Sequence, residues 1–166
     1  MRDDVFYVAV CGPAEASAEE EAAAETVGRA VARAGGIVVC GGLSGVMEGA
    51  ARGAEAEGGV SIGILPGPTR KGANPHLTAA VPTAMGEARN ALVVRAADAV
   101  IAIGGAFGTL SEIALALKIG VPVVGLGTWE LARSGEAVDV IERATDAEDA
   151  VKRALAALEE RGPSRP

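Results

Sequence analysis

The chain has 166 residues, with 22 acidic side chains against 15 Lys and Arg, a formal net charge of −7 and a pI near 4.8. That length suits one domain with a substantial core, and the acidic balance argues against broad electrostatic binding to nucleic acid or to an anionic membrane surface. Apolar residues make up 49% of the chain but aromatic ones only 2%, so the core is expected from Ala, Val, Ile and Leu, as in a parallel sheet covered by Ala-rich helices.

In chain order, Asp4 to Cys11 is β-branched and aromatic and predicts a first strand, ended by Gly12-Pro13. Ser17 with Glu20 has the spacing of a capping box, and Ala23, Val27, Ala30, Val31 and Ala34 recur at helical spacing until Gly35-Gly36 stops them. Ile37 to Cys40 predicts a second strand, which runs into the Gly-rich turn Gly41-Gly42-Leu43-Ser44-Gly45 and a helix over Val46 to Glu57. A third strand follows over Val60 to Leu65.

Pro66 to Leu77 has turn chemistry throughout and predicts a loop; its His76 and its Arg70-Lys71 pair read as solvated surface residues. Thr78 to Thr83 predicts a short strand. A helix is expected over Ala84 to Ala97, with Leu92, Val93 and Ala96 turned inward, and it delivers the chain to an apolar strand over Asp98 to Ile103. The stretch Gly104-Gly105-Ala106-Phe107-Gly108-Thr109-Leu110-Ser111-Glu112 then leads into a helix marked by Ile113, Leu115, Ala116, Leu117 and Ile119. Gly120 breaks it.

A strand over Val121 to Leu126, a rim position for Trp129, a last short strand over Val138 to Ile141 and a last helix over Asp146 to Glu160 complete the sequence of elements. Residues 161–166 are expected to be a disordered tail. The alternation of strand and helix predicts a single doubly wound, Rossmann-like α/β domain over residues 1–160, a parallel sheet with helices on both faces. No apolar stretch approaches the roughly 20 residues that span a bilayer, and no signal segment is apparent, so a cytoplasmic protein is expected. Cys11 and Cys40 each end an apolar run and read as small buried hydrophobes; with no Cys/His cluster, no metal site is expected.

Both Gly-rich turns follow strands and precede helices, which in a parallel sheet puts them on the same carboxyl edge. Glycines let backbone pass close to a ligand, and the first amides of a helix are free to meet an anion such as a phosphate. The candidate cradle is Gly41, Gly42, Gly45 and Met47 in one turn and Gly104, Gly105, Ala106, Gly108 and Thr109 in the other. Thr109 and Glu112 also have capping-box spacing, a structural role that leaves the glycines unexplained. The first strand lacks G-x-G-x-x-G and the chain lacks G-K-[ST], so hydride-transfer and P-loop readings are weak.

At these turns the chain resembles the LOG-like proteins, also called possible lysine decarboxylases, and the related nucleotide-binding domains of DNA-processing protein A. The family's P-G-G-x-G-T-x-x-E motif aligns with Gly104 to Glu112, its G-G-x-x-G-x-M turn with Gly41 to Met47, and the arginine of its Arg-Lys pair with Arg89. The resemblance implies cleavage of the N-glycosidic bond of nucleoside 5′-monophosphates, with Arg89 and Glu112 as the catalytic pair and no required cofactor. It also implies a homo-oligomer, a dimer or tetramer.

Three positions depart from the family pattern: the lysine is Asn90, the motif proline is Gly104 and the second glycine is Ala106. That pattern looks closer to a sister branch that includes molybdenum cofactor carriers, which need the cradle but not the hydrolysis. The expected ligand is therefore a small phosphate-bearing molecule: an AMP-like nucleotide, phosphate itself or the molybdenum cofactor. Decarboxylation is not expected, because none of Lys71, Lys118 and Lys152 stands in a pyridoxal-phosphate context.

Overall fold

A computed structural model describes residues 5–161. Its seven-stranded sheet is parallel throughout, in the order β4-β3-β2-β1-β5-β6-β9. The strands are β1 (Tyr7–Cys11), β2 (Ile37–Cys40), β3 (Val60–Leu65), β4 (Ala79–Pro82), β5 (Ala99–Ile103), β6 (Val123–Leu126) and β9 (Glu142–Arg143), while β7 (Ala132–Arg133) and β8 (Glu136–Ala137) form a separate antiparallel hairpin. The helices are α1 (Ala18–Arg33), α2 (Val46–Ala56), α3 (Asn90–Arg95), α4 (Phe107–Ile119) and α5 (Ala147–Arg161).

Alternate residues of the central strands go to opposite faces, as the two-residue period requires. Val8, Val10, Val38, Ile101 and Ile103 pack under α1, α2 and α5; Ala9, Val39, Val100 and Ala102 pack under α3 and α4. The expected doubly wound fold is present. Small residues let α1 and α2 cross closely: a Cβ on Gly28 or Gly53 would overlap the carbonyl oxygen of Ala50 or Glu25. Arg29, one turn along α1, and Arg52, from α2 across the crossing, bracket Glu25 at 2.8 and 2.9 Å, and these hydrogen bonds hold its carboxyl below the usual range.

The Ser17–Glu20 capping box forms with both of its reciprocal bonds, 3.1 Å into Ser17 Oγ and 2.8 Å into Glu20 Oε2. Four expectations are corrected. The helix expected from Ala84 starts later: Ala84 (φ 56°) and Gly86 (φ 54°) are left-handed, and the amides of Ala84 and Gly86 bond to the carbonyls of Gly67 and Pro66. A 3-10 turn over Gly86–Arg89 leads into α3 instead.

The inner face of α3 differs accordingly. Arg89, Asn90, Val93, Val94 and Ala97 are buried, a set related by steps of four, whereas Leu92 and Ala96 are exposed. The strand expected over Val138 to Ile141 is also displaced: only Glu142 and Arg143 pair with β6, and Ile141 alone of the expected residues is buried. Arg161, expected in the tail, is the last residue of α5; residues 162–166 lie outside the described residues, as does Asp4 of the expected first strand. No described helix is long and apolar enough to cross a membrane.

Candidate functional site

β1 leads to α1 on one face of the sheet and β5 leads to α4 on the other, so the carboxyl ends of these neighbouring strands part where the strand order reverses. Ligands of open α/β sheets bind at such switch points. A cavity of about 240 Å³ opens there. Its walls come from the end of β1 through Ala14, from Gly41, Leu43 and Met47 after β2, from Glu87, Arg89 and Asn90, and from the first turns of α4.

The start of α4 is bare of side-chain caps. Its N-cap is Ala106, and the first bond within the helix runs from the Leu110 amide to the Ala106 carbonyl at 3.0 Å. The amides of Phe107, Gly108 and Thr109 therefore have no partner inside the helix. The capping-box reading of Thr109 and Glu112 is corrected: both lie inside α4, at 2% and 7% exposure, and both line the cavity. A Cβ on Gly108 would meet only Asn90 Nδ2, at 4.0 Å, which leaves open space beside the free amides.

Arg89 is the strongest feature of the cavity. It is 7% exposed, its Nε is buried without a partner, and among the described residues its side chain has no hydrogen bond or ion pair. Buried guanidinium groups are normally paired, so one left free in a cavity is a site for an acceptor from outside the chain. Gly41 makes its position possible, because a Cβ there would overlap both terminal nitrogens of Arg89 and the sulfur of Met47.

Glu112 faces the same cavity without a hydrogen bond or ion pair to Arg89. Burial raises its carboxyl to about 7; the Cys11 thiol, which donates a hydrogen bond to it, and the Arg89 charge pull it back only in part. Burial likewise pushes the Cys11 thiol well up, helped by the Glu112 charge, and Cys40 up to about 11. Both thiols stay protonated at neutral pH. Asn90, at the position of the family lysine, donates to Ser111 Oγ at 3.0 Å, and Ser111 donates to the Gly108 carbonyl at 2.7 Å.

Of the sequence candidates, the fold brings together Gly41, Met47, Arg89, Ala106, Gly108, Thr109 and Glu112 around the cavity. Gly42, Gly45, Gly104 and Gly105 do not line it. Gly42, Gly45 and Gly104 shape the turns with φ of 77°, 65° and 59°, and Gly105 lies against the Trp129 indole. Trp129 donates from Nε1 to the Ala106 carbonyl at 3.2 Å and packs on Phe107 with ring centroids 5.6 Å apart, pinning the turn from outside. Sequence reasoning missed Cys11, which belongs both to the core and to the cavity lining; its place as the last residue of β1, at the switch point, was the available signal. His76, read as solvated, is instead half-buried with Nδ1 2.6 Å from Glu55, away from the cavity.

Among solved structures, the chain is similar to the molybdenum cofactor binding protein from the phototrophic bacterium Rippkaea orientalis, with 32% identity and a TM-score of 0.85 over 92% of this chain and 97% of that one. The molybdenum cofactor carrier protein MCP from Chlamydomonas reinhardtii is 32% identical with a TM-score of 0.80, over 93% and 98% of the two chains. DNA processing protein A from Helicobacter pylori, 20% identical with a TM-score of 0.69 over 92% and 81%, shares the fold. A protein of Archaeoglobus fulgidus is 41% identical over 124 residues, 74% of this chain and 80% of its own. The family model described as SLOG cluster4 matches residues 5–156, and the chain belongs to the SLOG cluster4 family.

Proposed function

We propose that the chain binds a phosphate-bearing pterin of the molybdenum-cofactor class and releases it unchanged, as a carrier rather than a hydrolase. The observation that carries this reading is Arg89, a buried cation with no hydrogen-bond or ion-pair partner among the described residues, held at the wall of a cavity beside the free amides of α4. A ligand phosphate on the amides of Phe107, Gly108 and Thr109 uses the positive end of the helix, and a ligand oxygen satisfies Arg89. The molybdenum is cargo here and is assigned no protein ligand. The likeness to carrier and binding proteins for that cofactor supports the choice of ligand class.

Two features favour carriage over cleavage. Cleaving an N-glycosidic bond asks a carboxylate to stabilise positive charge that develops in the transition state, and burial leaves Glu112 about half protonated near pH 7. The family lysine is absent too, and Asn90, tied to Ser111, adds no charge in its place.

The test is incubation of the purified chain with AMP and other nucleoside monophosphates, following free base by chromatography, with Glu112→Ala as the control. The carrier reading predicts no base release. Release that disappears in Glu112→Ala would establish the phosphoribohydrolase and overturn the carrier.

A further inference from the structure

Arg89 and Glu112 share one cavity, are both more than nine-tenths buried, and form no hydrogen bond or ion pair with each other. A guanidinium and a carboxyl at such close quarters ordinarily pair, because each would otherwise stand desolvated. Kept apart, they present the incoming ligand with two opposite demands: Arg89 only donates, and a charged Glu112 only accepts. Cys11 supplies one hydrogen bond to Glu112, and among the described residues no other donor reaches that carboxyl. Its remaining acceptor capacity faces the cavity.

We infer, resting on the proposed phosphate-bearing heterocycle, that this pair selects the ring: Glu112 accepts from adjacent ring N–H and amino donors while Arg89 donates to the neighbouring ring carbonyl. The ring edge with that pattern is a 2-amino-4-oxopyrimidine, found in pterins and in guanine and lacking in adenine, which has no carbonyl and presents its amino group elsewhere. The placement along α4 fits. Glu112 lies about 6 Å along the helix axis from Gly108, at 1.5 Å per residue, so a phosphate on the first amides and a ring edge at Glu112 belong to two ends of one ligand. The phosphate stays near the mouth and the pyrimidine edge goes inward.

The desolvated carboxyl gives the selection its sign. Ring donors stabilise the charged form of Glu112, so binding of such a ring releases a proton and tightens as pH rises through about 7. The titratable groups around Glu112 are Arg89 and Glu87 of the 3-10 turn and Cys11 of β1, which line the same cavity, and Cys40 of β2, which does not line it.

Titration calorimetry with GMP, IMP, AMP and inorganic phosphate separates the two levels of the argument. These nucleotides share ribose and phosphate and differ only at the ring edge; IMP keeps the carbonyl and one N–H but lacks the 2-amino group. The expected order is GMP, IMP, AMP, with GMP favoured over AMP by about 10- to 100-fold, the usual worth of a bidentate match. The Glu112→Gln variant is expected to narrow the GMP-to-AMP ratio to within about threefold while keeping affinity for inorganic phosphate, and to abolish the change of that ratio between pH 6 and 8, in which the titration of the shared phosphate, with its pKa near about 6, cancels. The order in the unaltered chain needs no variant to fold. AMP binding as tightly as GMP would overturn the ring selection and leave the phosphate cradle standing. No binding of any nucleotide or of phosphate would overturn both.

Discussion

Arg89 is a charge taken out of water with no ion-pair partner among the described residues, and such a residue weakens the fold that holds it. Replacing it with an apolar side chain of similar length should therefore separate folding from binding. Arg89→Met is expected to stabilise the ligand-free chain by about 1 kcal/mol or more and to weaken binding of a phosphate-bearing ligand roughly 10- to 100-fold, the worth of one charged hydrogen bond. Thermal unfolding with and without ligand reads both effects. A variant less stable than the parent would make Arg89 structural.

Glu112 makes a pH prediction at the same scale. Its folded value of about 7 lies above the ordinary 4.5, so its contribution is fully present below pH 4.5 and is lost as pH rises through 7. Between pH 5.5 and 8.5 the ligand-free chain should lose about 2 kcal/mol of stability from this group. Glu25, Glu57 and Asp149 are lowered by their arginine partners, so their dependence lies at acid pH, outside that window. In Glu112→Gln the loss should vanish. A slope as steep in the variant would mean that another group carries it.

At the scale of the element, the start of α4 is where the fold and the site share the same residues. Gly108 is a helix residue with open space at its missing Cβ, so Gly108→Ala should stabilise the helix by about 0.5–1 kcal/mol while projecting a methyl into the cavity and lowering affinity. Gly41→Ala should lower affinity too but move stability the other way: its Cβ overlaps the Arg89 guanidinium, displacing the cation and costing about 1–3 kcal/mol of stability. Unfolding midpoints and affinities of the two variants check the pair; midpoints shifted the same way in both would remove the distinction.

Strands β2 and β3 were legible residue for residue, because each is a short, mostly apolar β-branched run set off by turn residues, Gly35-Gly36 and Gly41-Gly42 around β2, Gly58-Gly59 and Pro66 around β3. The α3 region was not, because its path depends on amides claimed by the distant carbonyls of Pro66 and Gly67, which no local spacing encodes. Likewise Gly104 and Gly108 looked equivalent as glycines in one turn. Only the packing shows that the first sits against Glu20 with φ of 59° while the second leaves room for a ligand. The Thr109–Glu112 spacing was real, but its two side chains turn into the cavity because Ala106, not Thr109, begins the helix.

At the scale of the whole molecule, a chain of net charge −7 attracts no anion at long range, so an anionic ligand must be held by the local field of the α4 terminus and Arg89. The sheet order brings those two features together at the point where β1 and β5 part. The central claim, that this cavity carries a phosphate-bearing pterin intact, is tested most directly by loading. The chain and its Arg89→Met variant are incubated with molybdenum cofactor released from a molybdoenzyme and separated from free ligand, and bound molybdenum and pterin are measured together by mass spectrometry. The account predicts near-stoichiometric, equimolar molybdenum and pterin on the parent chain and about tenfold less on the variant; equal loading of both, or none on the parent, would contradict it.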